Sequence, residues 1–145
     1  MIEIGSIIPI KHFIFRESAS KIKTDHPFKN RPCLVIAEDD ELYYLLSISS
    51  HNSKEEGWRY YKAPEYASMK DCYIDLKYIY TTKIAGYKEL NFVDCEDLFD
   101  ILLQFLECQN NFYQDKLFDN VQDKVLKKIN TMKKNVKPKK KMLKK

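Results

Sequence analysis

Glycine is scarce in this chain, with three in 145 residues, while tyrosine and phenylalanine together supply eighteen. That balance suits a small β-rich core. The four cysteines, Cys33, Cys72, Cys95 and Cys108, are irregularly spaced and form no CxxC pair. This argues against a metal site and for buried free thiols. No apolar run approaches the roughly 18 residues that a spanning helix needs. No basic segment precedes the first apolar residues, as a signal peptide would require. The expectation is a cytoplasmic protein with no membrane partner. Acidic residues are missing altogether from 124–145, a stretch that holds eleven lysines. The formal net charge of +4 therefore leaves residues 1–123 at about −7. An acidic body with a basic tail often marks attraction to nucleic acid or a membrane surface. A solubilising C-terminus is the plainer alternative.

With 44% hydrophobic and 32% charged residues, the chain is globular rather than disordered, and its length fits one domain. The first strand is expected at Ile7–Ile10, on an edge or at a bulge, because Pro9 cannot donate to a ladder. Arg16–Asn30 lacks either periodicity and reads as a long loop, the kind that often carries function. Two apolar strands follow, Cys33–Ala37 and Leu42–Ile48, joined by the acidic turn Glu38-Asp39-Asp40-Glu41. Trp58–Lys62 reads as a short strand, and Cys72–Thr82 alternates as another. In that stretch Cys72, Ile74, Leu76 and Tyr78 share one face, and Tyr73, Asp75, Lys77 and Ile79 the other.

Asp94 is placed to cap a helix, with Asp97 three residues on in the capping-box position. Leu98, Ile101, Leu102, Phe105 and Leu106 then form an amphipathic stripe suited to core packing. Asn110-Asn111 is expected to end that helix. A second stripe, Leu117, Val121, Val125, Ile129 and Met132, implies another. The fold class is thus mainly β with C-terminal helices (α+β). Residues 1–110 form the sheet and its closing helix, 111–132 an additional amphipathic helix, and 133–145 a disordered Lys-rich tail.

The central hairpin gathers chemistry at its open end. Arg31 enters the first strand and Ser49-Ser50-His51 leave the second, so an antiparallel pairing sets a permanent cation beside two hydroxyls and an imidazole. Such a rim can bind and cleave a phosphodiester. An arginine paired with acidic neighbours and a serine pair that merely turns the chain are the structural alternatives.

The order of these features resembles the MazF/PemK (Kid) family of toxin endoribonucleases. Ile2-Glu3-Ile4-Gly5-Ser6-Ile7 is similar to the family's opening strand, and Arg31-Pro32-Cys33-Leu34-Val35-Ile36 to its "RP" strand. Leu46-Ser47-Ile48-Ser49-Ser50 is similar to the strand ending in hydroxyls, Cys72-Tyr73-Ile74-Asp75-Leu76 to a later strand, and the helix from Asp94 to the closing helix. The likeness covers about residues 2–109. It implies a small SH3-like barrel, usually a homodimer, that cuts single-stranded RNA without a cofactor. The products are a 2′,3′-cyclic phosphate and a 5′-hydroxyl, and a labile antitoxin holds the enzyme inactive. Two rivals are a non-catalytic toxin or binding module on the same barrel, as in CcdB, and a ToxN/AbiQ-like RNase inhibited by RNA.

In this resemblance Arg31 matches the catalytic arginine, whose planar fork can stabilise charge on a pentacoordinate phosphate. Ser49 stands where threonine is usual, keeping the hydroxyl without the methyl that fixes χ1. Ser50 matches the next position of the Kid-like subgroup. His26 lies one position from that subgroup's loop histidine, and His51 is its rival for proton transfer. Asp75 and Lys77 occupy positions where the subgroup carries the opposite charges, so no role transfers to them. Alternation sets both beside Tyr73, as a polar inter-strand pair would be. Arg31, Lys29, Trp58, Tyr60, Asp75 and Lys77 are the candidate RNA contacts. The aromatics among them suit either base stacking or a core or dimer interface.

Because RNA binding wants positive potential, the basic tail is the natural source of non-specific attraction for an acidic body. Deleting residues 133–145 is expected to weaken RNA binding and flatten its dependence on salt. Filter binding over a salt series checks this, and unchanged binding removes the tail from the mechanism.

Overall fold

The computed structural model describes residues 2–10, 31–50, 57–66, 71–84 and 86–133, with Arg31 described by its backbone. They form a mixed α+β fold, a curled antiparallel sheet followed in the chain by two helices. The strands are β1 (Ser6–Ile10), β2 (Arg31–Glu38), β3 (Leu42–Ser49), β4 (Tyr60–Lys62), β5 (Tyr73–Asp75), β6 (Tyr80–Lys83) and β7 (Asn91–Phe92). Across the sheet the order is β4-β5-β3-β2-β1-β7, and β6 also pairs with β3. The expected body of strands followed by helices is present. The Arg16–Asn30 loop with His26 and Lys29, His51, and the tail from residue 134 onward lie outside the described residues.

β3 is the hub. It pairs with β2 along one edge and is shared on the other between β6, at Leu42–Leu45, and β5, at Ile48–Ser49. Seven of its eight residues are buried, because both faces of the sheet are covered. One face carries Leu34, Ile36, Leu46, Ile48, Ile74 and Leu76 and packs with the helices. The other carries Ile8, Ile10, Cys33, Val35, Tyr43 and Leu45. A register shift between Val35 and Ala37 adds one residue to β2, and such a bulge bends the strand and sharpens its twist.

Pro9 is accommodated without a true edge. β7 reaches only Ser6 and Ile7 of β1, so the missing amide of Pro9 lies beyond the end of that ladder. Gly5 makes the turn into β1 at φ +103, and a Cβ there would meet the Leu98 side chain at 3.1 Å. Only glycine takes that conformation cheaply.

The expected single strand over Cys72–Thr82 is instead two, β5 and β6, with a corner between them. The Lys77 amide donates to the Asp75 carboxylate at 2.9 Å. The buried Gln109 side chain donates to the carbonyls of Leu76 at 2.7 Å and Lys77 at 2.9 Å. Those peptide groups therefore bond a carboxylate and a side-chain amide instead of a neighbouring strand. The alternation slips by one residue, so Ile79 joins the same core as Ile74 and Leu76.

Helix α1 spans Cys95–Cys108 and buries Leu98, Ile101, Leu102, Phe105 and Leu106, the stripe read from the sequence. Each such side chain removed from water stabilises the fold by roughly 1.5–3 kcal/mol before entropy is counted. Asp94 is the N-cap, yet its side chain makes no capping bond. The expected capping box is bridged instead by Tyr66, whose hydroxyl accepts from the Asp94 amide at 3.0 Å and donates to Asp97. Burial, and then Asp97, hold that phenol above its usual range.

Asn110-Asn111 does not end the helix. The chain widens into a π-helix at Gln109–Tyr113 and stops at Gln114, which is left-handed at φ 54. Helix α2 (Phe118–Lys133) follows and buries Phe118, Val121, Val125, Ile129 and Met132 on the body. Its valines and isoleucine are modest helix formers, so this packing carries its stability.

Asp39 organises the β2–β3 turn. Its carboxylate accepts from the amides of Glu41 and Leu42 and from the Tyr44 hydroxyl, each at 2.8 Å. Burial alone would raise this carboxyl, but those donors and Lys124 bring it below the usual range. A group lowered on folding contributes stability above its unfolded pKa of about 4 and loses it as pH falls through the folded value. Asp39→Ala is expected to cost about 1–3 kcal/mol at neutral pH in urea unfolding. The gap from wild type should narrow below about pH 4.

Candidate functional site

The strand registers assemble the open end of the hairpin. Ile10 stands opposite Arg31, and Cys33 stands opposite Ser47. Continued by two residues, the second register sets Arg31 opposite Ser49. On its other side Ser49 pairs with Tyr73, which in turn pairs with Lys62. Positions 10, 31, 49, 73 and 62 thus form one row across five strands, all in the same alternation phase. The neighbouring row holds Ile8, Cys33 and Ser47 on one side and Asp75 and Tyr60 on the other.

Pairing geometry sets the spacing in the first row. The Val35 carbonyl accepts from Gly5 at 2.8 Å, so the peptide groups of alternate residues on β2 point toward β1. Positions 31 and 49 are then a non-hydrogen-bonded pair, the kind whose Cα atoms approach to about 4.5 Å. Ser49 is half-buried and Ser50, just past the strand, is exposed.

Lys62 and Tyr73 were not among the residues singled out from the sequence. Lys62 has its ammonium 5.9 Å from the Tyr73 ring centre and 3.5 Å from Asp71. Alternation marked Tyr73 as sharing a face with Asp75, but only the register shows that it borders Ser49.

The candidate RNA contacts divide. Asp75 is held by Arg59, which donates from Nε at 2.9 Å and from Nη2 at 2.8 Å. Both side chains are largely buried, at 17% and 13% exposure. The ionic partner of Asp75 is therefore Arg59, and Lys77 reaches it only through its backbone amide. The Arg59 guanidinium lies 4.8 Å from the Tyr60 ring and 5.3 Å from the Tyr78 ring. The Lys77 ammonium lies 5.1 Å from the Tyr78 ring and 4.8 Å from that of Tyr113. Trp58 donates from its indole to the Tyr113 hydroxyl at 3.0 Å and stacks on Phe112. Cations and aromatic rings thus alternate from Tyr60 to Tyr113, and Trp58 and Phe112 continue the row as rings alone. Arg59, Phe112 and Tyr113 were missed in the sequence because their partners lie far away along the chain.

Among the described residues no group of three His, Cys, Asp or Glu side chains is gathered as metal ligands would be. No helix among them is long and apolar enough to cross a membrane. No protein-family model matches the sequence, and no curated protein matches it.

Removing one partner of a largely buried ion pair strands the other, at a cost of roughly 3 kcal/mol. Asp75→Ala is expected to destabilise the fold by about that amount in urea unfolding, and adding Arg59→Met should recover much of it. Purely additive losses would show that the pair is not coupled.

Proposed function

We propose that this chain is a toxin-type endoribonuclease on a small SH3-like barrel of the PemK/MazF kind, cutting single-stranded RNA with no cofactor. The observation that carries the proposal is the hairpin register at Cys33 and Ser47, which, continued by two residues, sets Arg31 opposite Ser49 at one open end with Ser50 next in the chain.

In this mechanism the 2′-hydroxyl of the RNA attacks the adjacent phosphorus while the 5′-oxygen leaves. A 2′,3′-cyclic phosphate and a 5′-hydroxyl result. The Arg31 guanidinium stabilises the charge that builds on the phosphorane oxygens. Ser49 and Ser50 hold the phosphate by hydrogen bonds. His26 or His51 takes the 2′-hydroxyl proton or returns one to the leaving oxygen, work for which an imidazole is suited. The family resemblance extends the proposal to a cytoplasmic homodimer kept inactive by an antitoxin.

The test is expression in a bacterial host, with cleavage of cellular RNA mapped by primer extension and purified protein assayed in EDTA. Wild type is expected to cut, and Arg31→Ala to fall by roughly 100- to 1,000-fold, as when one transition-state donor is removed. Cleavage by the variant at the wild-type rate, or none by the wild type, would overturn the proposal.

A further inference from the structure

Trp58 and Phe112 are large apolar side chains left 48% and 53% exposed. Their rings stack on each other at 5.0 Å between centres and 25° between planes. One face of each ring is thereby occupied, and about half of each side chain still stands open to solvent. Neither ring is loosely hung. The Trp58 indole is tied to the Tyr113 hydroxyl at 3.0 Å, and Phe112 belongs to the π-helix rooted by the buried Gln109. π-Turns of this kind are frequent at functional sites.

A cation stands beside the pair. The Lys77 ammonium lies 4.8 Å from the Tyr113 ring and has no carboxylate partner among the described residues. Of the acids nearby, Asp75 is neutralised by Arg59, and the Asp115 carboxylate is turned to the backbone amides of Ile79 and Leu117. Rigid rings beside an uncompensated cation are what a binder of unpaired nucleic acid presents, with rings for base faces and ammonium for phosphate. Two half-exposed rings offer roughly 200 Å², far short of the ~800 Å² per partner of a stable protein interface. The exposed Tyr66 and Phe92 do not extend the patch, since they lie at the other end of α1, about 20 Å away along 14 residues.

We propose that the Trp58–Phe112 stack is a platform for an unpaired base of single-stranded RNA, with Lys77 meeting the adjoining phosphate. The proposal rests on the substrate class proposed above and adds to it a subsite outside the hairpin rim. Phe112 lies beyond the region that resembles the toxin family.

Trp58 is the sole tryptophan of the chain, so its fluorescence reports on the platform directly. The experiment titrates the full chain with a single-stranded 2′-O-methyl RNA 12-mer and with the matched duplex. Lacking a free 2′-hydroxyl, this probe is bound without being cut. The single strand is expected to quench Trp58 and the duplex to leave it little changed. Phe112→Ala should weaken binding about tenfold, in line with ~1–3 kcal/mol per stacked base, and Phe112→Tyr should restore it. Absence of quenching at every oligonucleotide concentration overturns the platform, as does equal quenching by duplex. A fluorescence change that tracks protein concentration without RNA also overturns it, marking a contact between copies of the chain. Cleavage of ordinary RNA without quenching would overturn the platform alone, and quenching without cleavage the nuclease alone.

Discussion

A single glutamine amide, shut away from water, holds the parts of this molecule in relation. Gln109 gives both of its amide hydrogens to the carbonyls of Leu76 and Lys77 and accepts the amide of Asp115 at 2.8 Å. It is fully buried, so each of these bonds answers a group that would otherwise be stranded in the core at a cost of about 1–3 kcal/mol. The first two free the chain from the sheet between β5 and β6, which lets β3 take different neighbours along its two halves. The third ties the exit of the π-helix to the start of α2. Sheet curvature, the turn that presents Phe112, and the seat of the last helix thus share one side chain.

The sequence made legible what depends on near neighbours. Strand alternation, the acidic turn and the α1 stripe are local patterns, and they appear where period and composition put them. The corner after Asp75 was hidden because it depends on Gln109, more than thirty residues later. Alternation alone reads straight through it. The Asn110-Asn111 pair carries a stop signal that local propensity supports, yet a wider turn satisfied by Gln109 and Gln114 outweighs it. Similarly, Asp94 and Asp97 spell a capping box, and a tyrosine from a distant loop steps between them.

For the candidate site the same division holds. Arg31 and Ser49 could be brought together from the sequence because a hairpin has only one plausible closure. Tyr73 beside Ser49, and Lys62 beyond it, could not, since their places depend on strands joined through long connections. The charge pattern also changes meaning in three dimensions. In a body of about −7 overall, Arg59, Lys62 and Lys77 each lie against a tyrosine ring, and Asp75 and Asp71 balance the first two, which leaves the charge of the stripe to Lys77. A tyrosine face attracts that ammonium without cancelling its charge.

Pro32 stands opposite Pro9, and its ring leaves it no amide hydrogen. In the register of β2 and β3 that hydrogen would have closed onto Ile48, one step beyond the Cys33–Ser47 pair. The paired register of the hairpin therefore stops at Cys33 and Ser47, while Arg31 keeps Ile10 of β1 as its partner and Ser49 keeps Tyr73 of β5. Of the two bonds that an antiparallel step makes, the one that residue 32 would donate is absent, so this step of the hairpin rests on one bond fewer than its neighbours.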